Sequence, residues 1–325
     1  MSYINLPETL SAARDLVNDY VSQDDHDLTK QLLLAMLDHA PTQKGQFNIS
    51  MEILECANPG ANGLMDPATR LQNLAEQYEY RLLIPIVTKG GQTPDRSRRA
   101  SIEFDTTIDE STVDEKVAMD QEELRYLALC RDKYQSVLSG AVDYESISGG
   151  LVPHADNSAV THVAHILPFY LGRHEVRHEE DALVWTDLAK FSGGLVSATE
   201  LCGPNIDRLE NILTLTSNER SIMGQLIGWL EPEPGQPNTY RMCTESPIYK
   251  FPAGKIVRFT SSDPETLPLP NPAYIAIHTA CAKVFHASGM EKHLHSMLED
   301  LDSPLLPEDG NSEALTSALK VVVNQ

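Results

Sequence analysis

The chain has 325 residues, of which 41% are hydrophobic and 22% charged, a composition typical of a globular protein with one large core or two smaller ones. Its formal net charge of −22 at pH 7 repels nucleic acid, whose binding depends on neutralising phosphates with lysine and arginine. An ordinary nucleic-acid-binding protein is therefore disfavoured, and the dense basic cluster of Arg96, Arg98 and Arg99 fits a solvated linker better.

Signals for export, membranes and cysteine chemistry are missing from the sequence. It has no run of about 18 apolar residues, and its first ten residues lack the basic start and apolar stretch of a secretory signal. The five cysteines are odd in number and form no C-x-x-C pair, which argues against a disulfide framework and a zinc ribbon. We expect an intracellular, cytoplasmic protein with no cofactor and no membrane partner. Its oligomeric state stays open, and a homo-oligomer is compatible with the sequence.

The first quarter of the chain predicts helices. Apolar residues at helical spacing predict them over Leu6–Tyr20, Leu28–Leu37 and Asp66–Leu83. In the third, Asp66 is the expected N-cap, and a proline occupies the first helical position. No ligand or nucleophile spacing occurs here, so packing or partner contact is the expected role of residues 1–87.

The middle of the chain begins with a predicted linker. Residues 88–113 are rich in Gly, Pro, Ser, Thr and Asp and lack sustained periodicity. A helix is predicted over Asp114–Asp132, followed by a short strand and a glycine turn over Tyr134–Asp143.

Several short segments then follow in an order that resembles the fungal HNH (His-Asn-His) endonuclease-like family. They read RDKY (131–134), SVLSG (136–140) and AHILPF (164–169). The family has R-D-x-Y at a helix end, a C-V-x-T-G strand and then A-H-I-x-P-F. Ser136 stands where the family usually has cysteine.

The resemblance continues through the part of the chain that corresponds to the asparagine and the second histidine of the HNH motif. The segment NIDRLENILTL (205–215) is similar to the family's N-I-D-x-x-x-N-x-x-x-L and places Asn211 at the middle letter. Residues 216–219 then predict a capping box and a helix. In the family that helix carries a metal-binding histidine, and Arg220 replaces it here. A closing helix over 270–289 ends the likeness.

This resemblance implies an α+β fold, with an HNH-like ββα core wrapped by helices and preceded by an N-terminal helical region. The expected organisation is a helical region over 1–87, a linker over 88–113, an HNH-like domain over 114–300 and a tail over 301–325. Each segment alone is a weak signal, and their order makes the fold implication more specific.

The altered motif suggests roles for four residues. By position in the family's pattern, His165 is the acid/base residue and Asn211 orients it. Arg220 cannot hold a metal ion, because a guanidinium stays protonated and only donates hydrogen bonds. We therefore expect no metal, with Arg220 binding an anionic substrate group and Ser136 a weaker candidate for lining the substrate pocket.

Three functions follow from these roles. The first is a metal-independent acid/base enzyme acting on a small acidic or carbonyl substrate, with fungal secondary metabolism as its setting. The second is a non-catalytic pseudo-nuclease that serves as an interaction protein. The third is an active HNH endonuclease in which Glu219 or a nearby histidine recruits the metal.

The histidines also have simpler interpretations. By strand alternation His165 shares a face with Val163 and Leu167, so it could be a core histidine bonded to a carbonyl. His174 and His178 are spaced for a metal pair on a helix, although solvated charged residues explain them better. Ordinary packing is the favoured role for His278 and His286.

Overall fold

The computed structural model describes residues 6–24, 27–58, 65–89, 110–173, 179–245 and 253–294. Within them the chain combines many helices with small sheets, which is an α+β architecture. Most of the predicted linker and all of the predicted tail lie outside the described residues.

The N-terminal part is helical, as predicted. The helices here are α1 (Leu6–Asn18), α2 (Thr29–His39), α3 (Gln43–Cys56), α4 (Pro67–Tyr78), a π-helix (Glu79–Leu83), α5 (Ile84–Lys89) and α6 (Glu110–Arg131). Asp66 caps α4 by accepting hydrogen bonds from the backbone N–H groups of Ala68 and Thr69. The sequence did not predict α3, which is capped by Thr42.

The second half holds the strands. They are β1 (Val142–Asp143), β2 (Ser158–Ala159), β3 (Thr161–His165), β4 (Ile212–Thr216), β5 (Gly228–Pro232), β6 (Thr239–Thr244) and β7 (Ile256–Arg258). β1 pairs with β2 in parallel and β3 with β4 antiparallel, while β5, β6 and β7 form an antiparallel sheet in that order.

Helices separate and cover these strands. They are α7 (Tyr144–Ser148), α8 (Tyr170–Arg173), α9 (Glu179–Ser192), α10 (Ala198–Leu201), two 3₁₀ turns (Gly203–Asp207 and Leu209–Asn211), α11 (Ser217–Gly224) and α12 (Pro272–Ala287). The predicted capping box is confirmed at the start of α11, and the predicted closing helix is confirmed as α12, which begins at Pro272. Among the described helices, none has the length and hydropathy needed to cross a membrane.

Of the short strand and glycine turn predicted over Tyr134–Asp143, the turn is present at Gly140, which has a φ of 79°, but the strand before it is wrong. Lys133 and Tyr134 both have positive φ angles, of 58° and 59°, so the chain turns sharply where α6 ends. The backbone N–H of Ser136 then bonds to the carbonyl of Ala141, which closes a turn. Within this range only Val142 and Asp143, after the turn, belong to a strand, which is β1.

A buried apolar cluster runs through the described fold from Ala13 to Leu294. It joins the N-terminal helices to the later elements, since α2 packs on α12 and α3 packs on α9. At the second contact, a Cβ on Gly45 would overlap the backbone carbonyl oxygen of Phe191. Glycine therefore lets α3 lie directly against the end of α9.

Candidate functional site

Two strands and a helix surround the residues that the sequence selects. β3 and β4 pair from Thr161–Thr216 at one end to His165–Ile212 at the other. α11 follows β4 without a loop, because Thr216 and Glu219 form reciprocal capping hydrogen bonds. α11 packs on both strands, so the chain has two antiparallel strands followed by a helix that covers them.

The His165 imidazole bonds to a carboxylate. Its Nε2 lies 2.7 Å from Oδ1 of Asp207, at the end of the first 3₁₀ turn. The His165 side chain is 3% exposed, whereas that of Asp207 is 29% exposed. Solvent therefore reaches the carboxylate of this pair more easily than the imidazole. The half-buried ring of Phe169 lies against His165, with 5.3 Å between ring centroids.

The other ring nitrogen of His165 has a different environment. Nδ1 is buried and has no hydrogen-bond partner among the described residues. If Nε2 donates its proton to Asp207, Nδ1 is a bare acceptor. Leaving a buried polar atom unsatisfied costs about 1–3 kcal/mol, so such an atom needs an explanation. Chemically, the arrangement is a base whose accepting atom has no protein donor.

Asn211 holds the main chain just after His165. It is fully buried, and its Oδ1 accepts the N–H of Leu167 at 2.9 Å while its Nδ2 donates to the carbonyl of Leu167 at 3.0 Å. Nδ2 also donates to the carbonyl of Ile206 at 3.1 Å. Asn211 thus positions the end of β3 through the backbone, and the partner of the ring itself is Asp207.

Asp207 is not among the site residues predicted from the sequence. The signal was present, because the N-I-D segment places Asp207 four residues before Asn211. The main-chain turn over Gly203–Asp207 is what carries this carboxylate to His165, and no sequence period reveals such a turn.

Arg220 and Ser136 lie around the first turns of α11. Arg220 is half-buried and follows Glu219 in that helix. Ser136 is 1% exposed, and its Oγ donates to Oε2 of Glu219 at 2.6 Å. The structure therefore joins Ser136 to the α11 cap, and it joins His165 to Asp207 and, through the backbone, to Asn211.

Two of the cavities in the described part of the protein are relevant to the positions of these residues. One of about 220 Å³ lies between residues 131–140 and 255–260 and includes Ser136 in its lining. The other, of about 460 Å³, is lined by residues that include His39, Trp229 and His286. His165, Asn211 and Arg220 line neither cavity.

The described residues include no group of three or more His, Cys, Asp or Glu side chains arranged to hold a metal ion. His174 and His178, the metal pair considered from the sequence, lie outside the described residues.

The two histidines of α12 bind carbonyl groups near the end of α11. Nε2 of His278 lies 2.9 Å from the carbonyl oxygen of Met223, and burial lowers the pKa of His278. Nε2 of His286 lies 2.8 Å from the carbonyl oxygen of Leu226. Both side chains satisfy carbonyls at and beyond the C-terminal end of α11, which is a packing role.

Comparison with known proteins gives no further guide: no family model, curated protein or solved structure matches the chain.

Proposed function

We propose that this protein is an HNH-like ββα scaffold in which His165 and Asp207 act as a metal-independent acid/base pair on a small acidic or carbonyl substrate. The observation that carries the proposal is the 2.7 Å contact between Nε2 and the carboxylate, combined with a buried Nδ1 that has no described partner. A carboxylate on one nitrogen fixes the imidazole's tautomer and leaves the other nitrogen to accept a proton.

In the proposed reaction, Nδ1 of His165 removes a proton from a carbon next to a carbonyl, or from a hydroxyl group. The imidazolium that forms is stabilised by Asp207, as a carboxylate stabilises histidine in other acid/base sites. The His165 side chain is 3% exposed, so substrate must displace a neighbour to reach Nδ1. We assign that movement to Phe169, whose ring is half-buried and lies against the imidazole.

Arg220 supplies the positive charge in this proposal. Proton removal next to a carbonyl creates an enolate, and a guanidinium can hold an enolate or carboxylate through two parallel hydrogen bonds. The half-buried position of Arg220 and the packing of α11 on β3 support this role. A cation at this position also opposes the binding of a divalent ion.

One observation favours the non-catalytic alternative. The His165 imidazole is nearly inaccessible, and neither described cavity includes it. A histidine that only anchors the 203–207 turn would have this environment. In that case the protein is a pseudo-nuclease scaffold that acts through its surface.

The proposal is tested by proton exchange. Purified protein is incubated in D₂O with a panel of 2-oxo and 3-oxo acids, and loss of the exchangeable C–H signals is followed by proton NMR. We expect exchange of at least one compound by the wild type and loss of that exchange in His165→Gln. The matched control is His162→Gln on the same strand, whose ring lies 2.9 Å from Ser217 Oγ and which should retain exchange.

Two results would replace the proposal. Absence of exchange throughout the panel, together with equal behaviour of the two histidine variants, favours the scaffold. Plasmid nicking in Mg²⁺ or Mn²⁺ that disappears in His165→Gln identifies a nuclease, the third function that the sequence suggested.

A further inference from the structure

The cavity of about 220 Å³ is lined by two separate segments of the chain. One is the turn after α6, and the other is β7 with its flanking residues. Its lining contains four cationic side chains and one carboxylate: Arg131, Lys133, Lys255, Arg258 and Asp132. Such a basic lining is unusual for a chain whose net charge is −22.

The single carboxylate of the lining is already neutralised. Arg131 is fully buried, and it grips Asp132 with two parallel hydrogen bonds, Nε to Oδ1 at 2.7 Å and Nη2 to Oδ2 at 2.9 Å. Its remaining donors bond to backbone carbonyls, including those of Leu209 and Ile212. The charges of Arg131 and Asp132 therefore cancel each other, and the pair has a structural role beneath the cavity.

The other three cations remain at the surface of the cavity. Lys133, Lys255 and Arg258 are exposed, and the described residues provide no carboxylate partner for any of them. Nζ of Lys255 donates to the carbonyls of Leu138 at 2.6 Å and Ser139 at 3.2 Å, so it bridges the two walls. An ammonium has three donors, which leaves one for a ligand.

The backbone at Lys133 adds a second observation. Lys133 and Tyr134 both have positive φ angles, a backbone conformation that is unfavourable for most residues other than glycine and asparagine. Strained residues cluster at binding sites, where the surrounding structure maintains them. Here the strained turn places the Lys133 side chain in the lining of the cavity.

We propose that this cavity is a binding site for a small ligand that carries a phosphate group, held by Lys133, Lys255 and Arg258. A tetrahedral anion with several acceptor oxygens suits cations that approach from two walls. The volume is below the roughly 300–1,000 Å³ of sites for drug-sized ligands, so one anionic group fits better than a large molecule.

The net negative charge of the whole chain favours the binding of a small ligand over the binding of nucleic acid. A strand would bring many phosphates to a strongly acidic protein surface, whereas a single phosphate meets only the local cations. Charges on an edge strand also prevent unwanted strand pairing, which is an alternative explanation for Arg258 in β7 and Lys255 next to it. It does not explain Lys133, which comes from a different segment.

One further acid, Glu219, lies behind the lining of the cavity and is bonded to it through Ser136. Ser136 in the lining donates to Glu219, whose Oε2 also accepts the backbone N–H of Thr216 at 2.8 Å. These two donors point toward the Glu219 carboxylate and offset part of its charge beside the cavity. The inference does not depend on the acid/base role proposed for His165.

Inorganic phosphate is the probe, titrated into the full chain by calorimetry at low ionic strength. We expect one saturable site. Lys133→Gly and Arg258→Gln should each weaken binding on the order of tenfold, the effect of losing one charged hydrogen-bond donor. Lys133→Gly should at the same time raise Tm, because glycine accepts the positive φ. Weaker binding together with higher stability separates loss of a ligand contact from damage to the fold.

Two controls complete the test. Lys292→Gln removes an exposed lysine outside the cavity lining and should bind phosphate like the wild type. His165→Gln should also bind phosphate like the wild type, because His165 does not line this cavity. The phosphate site can therefore be confirmed even if the proposed proton-transfer reaction is not found. Absence of saturable binding, or equal weakening in Lys292→Gln, overturns the site. Tighter binding of a single-stranded oligonucleotide that depends on the same two cations overturns the assignment to a small ligand.

Discussion

The Asn211 side chain binds both backbone polar groups of Leu167. Its Oδ1 accepts a hydrogen bond from the Leu167 N–H at 2.9 Å, and its Nδ2 donates one to the Leu167 carbonyl at 3.0 Å. The two residues are 44 positions apart in the chain, so this clamp ties the end of β3 to the turn before β4. His165 lies two residues before the clamped backbone. The orientation of the His165 imidazole therefore depends on Asn211, although no described hydrogen bond joins Asn211 to the ring.

Replacing Asn211 should destabilise the protein more than it changes chemistry. Asn211→Ala removes three hydrogen bonds at a fully buried position and leaves the partner groups unsatisfied. We expect a loss of about 2–4 kcal/mol in the free energy of unfolding, measured by urea denaturation. The control is Asn205→Ala in the same segment, an exposed position that should change stability by less than about 0.5 kcal/mol. Equal effects would show that the clamp is unimportant.

Asp207→Asn should have the opposite effect: it should slow proton exchange while leaving the stability of the fold nearly unchanged. The amide is isosteric with the carboxylate and can still hydrogen-bond to Nε2, so the fold should persist. It cannot stabilise an imidazolium by charge, and we expect the rate of His165-dependent proton exchange to fall about 10²–10⁴-fold. The measurement is the D₂O exchange assay with a parallel urea curve. An unchanged exchange rate would remove Asp207 from the mechanism.

Glu79 should make stability depend on pH. Burial, followed by repulsion from Glu76, raises the pKa of Glu79 from 4.5 to about 7, and His293 lies 3.9 Å from its Oε1. The folded state therefore binds more protons than the unfolded state between these values, so stability is lost as pH rises through the window. Glu79→Gln resembles the protonated form, and should match the wild type near pH 4.5 and exceed it at pH 8 by up to about 3 kcal/mol.

The measurement is the free energy of unfolding of both proteins at several pH values. Glu55→Gln serves as the control, because Glu55 is exposed on α3 and its replacement should shift stability little at any pH. A Glu79→Gln protein that is less stable than the wild type at pH 8 would show that the charged carboxylate is stabilised, for example by protonated His293.

Gly45 should tolerate no side chain. In Gly45→Ala the new methyl group meets the carbonyl oxygen of Phe191, a backbone atom that cannot move without separating α3 from α9. We expect a loss of about 1–3 kcal/mol or more, even though alanine favours helices more than glycine does. Glu55→Ala, at an exposed position of the same helix, is the control and should be nearly neutral. A Gly45→Ala protein as stable as the wild type would contradict the described contact between these helices.

Local sequence signals predicted local structure well. The Asp66 cap, the capping box at Thr216 and the proline that opens α12 each fix a helix start through contacts within a few residues. α3 was missed because its buried face contains few large apolar residues, chiefly Ile49 and Ile53, and it begins near a glycine.

Contacts between distant residues could not be predicted in the same way. The bond from His165 to Asp207 spans 42 positions, and the bond from Ser136 to Glu219 spans 83. Each depends on a turn without periodicity, a 3₁₀ turn for Asp207 and the strained turn at Lys133 for Ser136. The family resemblance was the basis for predicting His165 and Asn211 as site residues, whereas the contact of Asp207 with the His165 ring was found only in the structure.

The most direct test of the central claim is a long-range ¹H–¹⁵N correlation spectrum of the His165 ring, recorded at alkaline pH. The proposal requires Nδ1 to be a bare acceptor, so the spectrum should show the tautomer protonated on Nε2, facing Asp207. His165→Gln assigns the signals, and Asp207→Asn should alter the balance between tautomers. A ring protonated on Nδ1 in the wild type would contradict the account, because the unprotonated nitrogen would then be Nε2, which faces Asp207 and not the substrate.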